Sequence, residues 1–288
     1  MRSNAMQGKT VLITGATAGI GRITARELAD DGAHVVFVAR NPSKAEATRA
    51  WVAQATGSSS VEFIIADLSA QAQVRAVVEQ FTSRFRGLDV LINNVGGFFQ
   101  KRIETADGVE MTFALNHLTP FLLTNLLIDS LRLKAPSRIV TVSSGAHVGS
   151  EMRFDDLEGR KSYGGWKAYG QSKLANLLFT YELSRRLSGS SITANALHPG
   201  FVATEFGKNN GSFMGVMMGI AQRFGAISPE QGARTSISLA SSPDVQGVTG
   251  KYFTKCKEVA SSPASMDRDS MRKLWEISSS MTGIPVAN

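Results

Sequence analysis

Cysteine is almost absent from this sequence, since Cys256 is the only one among 288 residues. A single cysteine excludes an intrachain disulfide and a thiolate metal cluster, so we expect no metal site and a reducing, cytoplasmic setting. Long apolar runs are also lacking, and none approaches the ~20 residues that a membrane span needs. Residues 1–5 hold no apolar signal core and read like the remnant of an expression tag. We therefore predict no integral membrane span.

Charge of one sign is in modest excess, with 31 Lys and Arg against 24 Asp and Glu and a net charge of +7. Such an excess suits a nucleic acid, a membrane surface or a phosphate-bearing ligand. The basic residues are scattered in pairs such as Lys101-Arg102, which indicates a solvated surface rather than a nucleic-acid groove. We expect no nucleic-acid partner, and binding that weakens steeply with salt would argue for one.

Short apolar runs alternate with helix-length segments along the chain. Most runs are apolar without alternation, which is typical of strands buried on both faces of a parallel sheet. The repeated strand–helix order predicts an α/β fold over residues 6–288. We expect a single-domain, doubly wound (Rossmann) parallel sheet of about seven strands with helices on both faces. The predicted strands are residues 10–14, 34–40, 62–67, 88–94, 138–144, 192–198 and 251–254.

Two segments interrupt this alternation, residues 145–168 and residues 205–225. The first holds no clear strand or long helix, and the second is rich in glycine and methionine. Each follows a strand at its expected carboxyl end, the edge where ligands bind in open α/β sheets. We predict that both segments lie on the substrate side.

A glycine-rich turn lies between the first predicted strand and the first predicted helix. Its spacing, Gly-x-x-x-Gly-x-Gly, allows the backbone to approach a pyrophosphate at the helix N-terminus, which predicts dinucleotide binding. The cofactor-binding residues predicted in this turn are Gly15, Thr17, Ala18, Gly19, Ile20 and Gly21.

The ends of the next strands predict the rest of the cofactor site. The second strand ends at Arg40 with no carboxylate nearby. Its guanidinium suits a 2′-phosphate, which favours NADP(H) over NAD(H). The remaining contacts predicted are Asp67 and Leu68 at the end of the third strand, and Asn94, Val95 and Gly96 at the end of the fourth.

Tyr169 and Lys173 are four residues apart, so on a helix their side chains share one face. The unperturbed pKa of tyrosine, ~10, is too high for proton transfer at neutral pH. A lysine charge ~4 Å away, at an effective dielectric of ~20, favours the phenolate by up to ~4 kcal/mol, or about three pKa units. The pair therefore predicts a usable acid or base, although it also occurs by chance on helix surfaces.

Taken together, these motifs resemble the short-chain dehydrogenase/reductase family over about residues 7–283. The shared pattern is Thr14-Gly-x-x-x-Gly-x-Gly, Asn93-Asn-x-Gly96, Asn116, Ser144 and Tyr169-x-x-x-Lys173. Local stretches resemble the retinol dehydrogenase-like subgroup more closely, at residues 115–118, 121–124, 172–176, 198–200 and 274–276.

The resemblance implies hydride transfer between a nicotinamide cofactor and an alcohol or carbonyl substrate. Tyr169 would exchange the proton at the substrate oxygen, and Ser144, preferred to Ser143 by analogy alone, would hydrogen-bond that oxygen. Lys173 would bind the nicotinamide ribose and lower the pKa of Tyr169, and Asn116 would hold a water behind it in a proton relay. The contacts implied for the carboxamide are Pro199, Gly200, Val202 and Thr204.

Two positions depart from the family pattern. Val95 replaces the more frequent alanine, and Ala18 stands where many NADP-using relatives carry a basic residue, which leaves Arg40 to select the cofactor. The apolar, methionine-rich run 213–220 predicts a lipophilic substrate that is retinoid-, steroid- or long-chain-like. The predicted substrate contacts are Ser144, Phe98, Phe99, Phe213 and Met217.

Other interpretations stay open. The Tyr169–Lys173 pair would equally serve an NADPH-dependent reductase of a carbon–carbon double bond, as in protochlorophyllide reductase. A non-catalytic NADP-binding sensor is disfavoured, because it has no use for such a pair. Relatives often pair through the helices that carry Asn116 and Tyr169, which implies a homodimer or homotetramer, whereas the long segment before Tyr169 allows a monomer.

Overall fold

The computed structural model describes residues 4–202 and 227–286. Its strands are β1 Thr10–Thr14, β2 His34–Ala39, β3 Val61–Ile65, β4 Val90–Asn93, β5 Ser137–Val142, β6 Ile192–His198, β7 Tyr252–Thr254 and β8 Lys257–Glu258. They form one sheet in the order β3-β2-β1-β4-β5-β6-β7-β8, in which only the β7–β8 pair is antiparallel. The predicted doubly wound α/β sheet is therefore confirmed. It has one strand more than expected, because a two-residue exposed strand leaves no pattern in the sequence.

Local signals fix the ends of the helices that flank the sheet. The Asn41 side chain accepts a hydrogen bond from the Lys44 N–H at the start of α2 (Pro42–Thr56), and Ser228 and Gln231 form a capping box at the start of α6 (Pro229–Ser241). Gly57 ends α2 in the left-handed region at φ +71°. Within the described ranges the longer helices are α1 Gly19–Asp30, α2 Pro42–Thr56, α3 Gln71–Arg84, α4 Met111–Arg132, α5 Gly165–Arg186, α6 Pro229–Ser241 and α7 Arg268–Thr282.

Successive residues of the central strands face opposite layers of helices. In β1, Val11 and Ile13 belong to the core shared with α1, α2 and α6, whereas Leu12 belongs to the core shared with α3, α4 and α5. Both faces are therefore covered, which explains the continuously apolar strands. The last helix, α7, lies over α4 and α5, and its Trp275 ring is centred 4.9 Å from that of Phe121.

One helix among the described residues, α4, is long and apolar enough to cross a membrane. The most apolar 18-residue window of Met111–Arg132 has a mean hydropathy of 1.3, and 72% of it is buried inside the protein. Its packing between α3, α5 and the sheet accounts for this composition, because the core helix of a globular domain needs apolar side chains on most of its surface.

The carboxyl ends of the parallel strands meet at one edge, and the irregular segments gather there. After β5 the chain forms a short 3-10 helix, Gly145–His147, and then turns until α5 begins at Gly165. The predicted substrate-side segment 145–168 thus ends inside a helix. The other predicted segment, 205–225, lies outside the described residues.

Candidate active site

The glycine-rich turn after β1 is attached to the end of β4 by Asn94. The Asn94 side-chain amide donates to the carbonyl oxygens of Thr14 and Gly15 at 2.9 and 3.0 Å. The Thr14 hydroxyl in turn accepts from the backbone N–H groups of Asn94 and Val95, each at 3.0 Å. These bonds hold the turn against the central strand, so Asn94 has a structural role at the cofactor site.

Close packing inside the turn explains its glycines. A Cβ on Gly21 would lie 2.5 Å from both the Asn94 Nδ2 and the Gly15 carbonyl oxygen. A Cβ on Gly15 would lie 3.0 Å from the Val95 Cα, and Gly15 and Gly19 have φ of +71° and +52°, where only glycine is unstrained. The turn therefore tolerates no side chain at these positions.

The start of α1 can receive an anion. Ala18 precedes the helix in an extended conformation without a side-chain cap, and the first turn holds no acidic residue. The first N–H groups of the helix are therefore available to a phosphate, and the helix dipole favours its charge. Thr17 and Ile20 are partly exposed beside them. The residues present fit the pyrophosphate of a dinucleotide.

Arg40 directly follows β2 at the same edge of the sheet. Its side chain is exposed, and within the part of the chain that the structure describes no hydrogen bond or ion pair engages it. The next residue, Asn41, is occupied as the cap of α2. An exposed guanidinium at this strand end fits the 2′-phosphate of NADP(H).

The end of β3 contributes less than expected. The Asp67 carboxylate is exposed, and its Oδ1 accepts from the backbone N–H and the hydroxyl of Ser69 at 3.0 and 2.8 Å. The Leu68 side chain is buried in the core on the α3 side, and its carbonyl accepts from the Thr119 hydroxyl at 2.5 Å. Asp67 is therefore open to a ligand at this edge, whereas Leu68 can offer only its backbone.

The structure separates the two neighbouring serines at the end of β5. Ser143 is buried, its hydroxyl donates to the Lys173 carbonyl at 2.7 Å, and its N–H donates to the Leu197 carbonyl at 2.7 Å. The Ser144 hydroxyl instead accepts from the Ala146 N–H at 3.2 Å and lies beside the Tyr169 hydroxyl, whose pKa it lowers. Ser143 thus ties α5 and β6 to the sheet edge, while Ser144 is the serine that faces the tyrosine.

Tyr169 and Lys173 lie on one face of α5, as their spacing predicts. The Lys173 Nζ is 5.6 Å from the centre of the Tyr169 ring and donates to the Val142 carbonyl at 3.1 Å. Burial raises the pKa of Tyr169 to about 12, opposed in part by Ser144, and lowers the pKa of Lys173 to about 8. In this structure desolvation therefore acts against the lowered Tyr169 pKa that the sequence predicts.

Asn116 lies in a π-helical turn of α4, Ala114–Leu118, a type of bulge that often occurs at functional sites. Its amide group donates to the Gly97 carbonyl and to the Ser172 hydroxyl, both at 2.9 Å, and its oxygen accepts from the Gly97 N–H at 2.7 Å. A Cβ on Gly96 would lie 3.3 Å from both the Asn116 Oδ1 and the Lys173 Nζ. Gly96 therefore lets the loop after β4 pass directly beside the lysine, and the water-holding role of Asn116 stays a prediction.

The loop after β6 reaches across to α1 and α6. Gly200, which follows Pro199, has φ +95°, and a Cβ there would lie 2.6 Å from the Ile227 Cδ1. Val202 forms a β-bridge with Ile227. A Cβ on Gly232 in α6 would lie 2.6 Å from the Val202 side chain. Packing thus places residues 199–202 near the start of α1. Thr204 lies outside the described residues.

Aromatic side chains surround Tyr169. The buried Phe98 ring is centred 6.0 Å from that of Tyr169 and 4.9 Å from that of Trp166. Trp166 is 50% exposed and 6.2 Å from Tyr169. Trp166 is not among the residues predicted from the sequence, although its spacing of three residues from Tyr169 on one helix is a sufficient signal. Phe99 packs instead against Gly97, whose Cβ position is 2.8 Å from its ring.

Two further features bear on the predicted contacts. Phe213 and Met217 lie outside the described residues, so the structure does not place them. A separate cavity of about 350 Å³ lies between residues 149–164 and the start of α5, and its walls include neither Ser144 nor Tyr169. Over residues 4–202 and 227–286, no group of three or more His, Cys, Asp or Glu side chains is arranged to hold a metal ion.

Comparison with known proteins adds an independent line of evidence. The sequence matches the short chain dehydrogenase family over residues 9–214. Retinol dehydrogenase 14 of Homo sapiens is 45% identical, over 97% of this chain and 88% of its own length. Retinol dehydrogenase 13 of Homo sapiens is 41% identical, over 96% of this chain and 85% of its own length.

Solved structures show the same architecture. An uncharacterized protein from Mycobacterium Paratuberculosis superposes with a TM-score of 0.77 at 34% identity, covering 98% of this chain and 96% of its own. A Pseudomonas aeruginosa RhlG/NADP active-site complex superposes with a TM-score of 0.71 at 26% identity, covering 88% of this chain and 96% of its own.

Proposed function

Because this chain belongs to the short-chain dehydrogenase family, in its retinol dehydrogenase-like subgroup, we propose that it interconverts a lipophilic alcohol and its carbonyl compound with NADP(H). Membership makes the chain an NAD(P)-dependent oxidoreductase that acts on CH–OH donors. The observation that carries the proposal is the meeting of Ser144, Tyr169 and Lys173 at the carboxyl edge of the sheet, beside the glycine-rich turn. A binding module would need no such arrangement of hydroxyls and ammonium.

We propose a role for each side chain of the site. A substrate oxygen that contacts the Ser144 and Tyr169 hydroxyls accepts a hydrogen bond from the first and receives its proton from the second. The nicotinamide cofactor supplies the hydride in reduction and accepts it in oxidation. Lys173 is held by the Val142 carbonyl with its ammonium near the Tyr169 ring. Its positive charge would compensate the negative charge that develops on the Tyr169 oxygen when the proton leaves. Asn116 holds the loop beside Lys173 through Gly97.

Preference for NADP(H) rests on Arg40, the exposed cation at the end of β2. Its removal should raise the KM for NADPH about tenfold or more and leave the KM for NADH nearly unchanged, since a charge-assisted hydrogen bond contributes about 1.5–3 kcal/mol. Arg40→Ala is the test, and Arg132→Ala is the matched control, because Arg132 is exposed at the end of α4 and pairs with Asp129. An unchanged KM for NADPH in Arg40→Ala would overturn the preference.

Preference for a lipophilic substrate rests on the aromatic wall of Phe98 and Trp166 beside Tyr169. The relatives that match this chain are named retinol dehydrogenases, and a retinol-like substrate would suit an aromatic wall. The test is NADPH oxidation with all-trans-retinal, a long-chain aldehyde, a steroid ketone and a small polar aldehyde, followed by product identification. Turnover of the polar aldehyde alone would refute this substrate class. A product saturated at a carbon–carbon bond would support the double-bond reductase instead.

Quaternary structure and location complete the proposal. The outer side of α4 and α5, the helices that carry Asn116 and Tyr169, is covered by α7 through Trp275 and a shared apolar cluster. Pairing through that side would require α7 to move, so we expect a monomer rather than the homodimer or homotetramer that the resemblance implies. Light scattering coupled to gel filtration decides between them. We also keep the cytoplasmic location as a proposal, to be tested by cell fractionation.

A further inference from the structure

His198 joins two loops of the candidate site through one atom. It is the last residue of β6, and its ring Nδ1 accepts hydrogen bonds from the backbone N–H of Gly145 at 3.2 Å and of Gly200 at 3.3 Å. The ring also lies against Gly145, whose Cβ position is 3.5 Å from it. A single acceptor therefore links the loop after β5 to the loop after β6.

The two loops carry different parts of the proposed reaction. Gly145 follows Ser144, the serine that faces Tyr169. Ser143, which precedes Ser144, donates its N–H to the Leu197 carbonyl of β6. Ser144 is thus held between two bonds to the end of β6. Gly200 belongs to the loop that packs near the start of α1, on the cofactor side. The spacing of substrate oxygen and cofactor depends on how these loops are joined.

Only a neutral ring with its Nδ1 lone pair free can accept from both N–H groups, so any ring proton lies on Nε2. Burial lowers the pKa of His198, and the neighbouring His147 lowers it further. His147 is itself buried, with its Nδ1 2.7 Å from the Ser144 carbonyl. The accepting form is therefore the form present at neutral pH.

We propose that His198 is a positioning residue that sets the distance between the Ser144 hydroxyl and the cofactor-side loop by accepting from Gly145 and Gly200 at once. The inference rests on the proposed function for its catalytic consequence. Its structural content, that the two loops share one acceptor, also predicts an effect on cofactor binding alone. No other residue in the described ranges accepts from both N–H groups.

Two variants separate the acceptor from the bulk of the side chain. Asparagine places an amide oxygen near the position of the imidazole Nδ1, whereas leucine has similar volume and no acceptor. We expect His198→Leu to weaken NADPH binding in a fluorescence titration and to lower kcat with all-trans-retinal, each about tenfold, because two backbone donors lose their partner. His198→Asn should stay within about threefold of the wild type in both. His34→Leu, at the far end of β2, is the control and should change neither.

The outcomes decide separately for the two proposals. If His198→Asn and His198→Leu lost NADPH affinity and kcat equally at an unchanged melting temperature, the shared-acceptor role would be overturned. It would also be overturned if His198→Leu kept the NADPH affinity and kcat of the wild type. If the wild type turned over none of the carbonyl probes, the proposed substrate class would be refuted. The NADPH titration, which needs no substrate, would still decide for or against His198.

Discussion

Acidification should destabilise this protein through His117. The imidazole is fully buried in α4, with its ring centred 5.1 Å from that of Phe113, and its Nε2 lies 2.8 Å from the Ser278 hydroxyl of α7. Burial lowers the pKa of His117 from 6.5 to about 3, and the nearby Asn176 side chain opposes this shift only in part. The folded state therefore holds the ring neutral, whereas the unfolded chain protonates it readily.

The sign and size of the effect follow from linkage. Because the folded-state pKa lies below the unfolded value, the unfolded state binds more protons as the pH falls, and the free energy of unfolding decreases. The contribution is complete above the unfolded pKa of 6.5 and is lost progressively toward the folded pKa of about 3. At about pH 5 the solution lies about 1.5 units below the unfolded pKa, so the free energy of unfolding is lower by about 2 kcal/mol.

Urea denaturation at about pH 7.5 and about pH 5 measures this loss. His117→Gln keeps a polar group toward Ser278 but does not titrate, so we expect it to lose about 2 kcal/mol less than the wild type between the two pH values. His34→Gln is the control: His34 is about one-third exposed and pairs with Glu62, so the variant should keep most of the wild-type pH dependence. Equal losses in the wild type and His117→Gln would refute the reasoning.

Further outcomes follow from the same structure. Tyr169→Phe keeps the ring beside Phe98 but removes the proton, so kcat with all-trans-retinal should fall about 10²–10⁴-fold while NADPH binding, followed by fluorescence, is retained. Gly21→Ala places a Cβ 2.5 Å from the Asn94 amide and should abolish NADPH binding in the same titration. Trp275→Ala should lower the urea-derived free energy of unfolding by about 3–5 kcal/mol. Initial rates across the pH range should show retinol oxidation rising toward alkaline pH more steeply than retinal reduction.

The strands are predictable because burial on both faces leaves a continuous apolar run. β1 and β6 occupy the predicted residues 10–14 and 192–198. β4 is shorter than the predicted 88–94, and directly before it the Asp89 carboxylate accepts from the Lys9 ammonium at 3.0 Å and the Thr10 N–H at 2.9 Å. Apolar patterns report burial, and they carry no information about such side-chain bonds.

In the candidate site, too, some features are predictable from the sequence and others are not. The turn glycines and the Tyr169–Lys173 spacing are readable from the sequence, because each depends on one local element. The difference between Ser143 and Ser144, and the place of His198, depend on contacts between loops that are far apart along the chain. Trp166 is readable by spacing, but its half-exposed position beside Tyr169 is a property of the folded surface.

The ionisation of the site shows which physical effect dominates. Attraction between Tyr169 and Lys173 alone would lower the Tyr169 pKa, whereas burial acts on both side chains and disfavours each charged form. With pKa values of about 12 and about 8, the phenol keeps its proton and the amine stays mostly charged at neutral pH. Such a Tyr169 is ready to give a proton to a carbonyl oxygen, whereas accepting one from an alcohol requires the phenolate. We therefore expect reduction to be favoured near neutral pH and oxidation to gain as the pH rises.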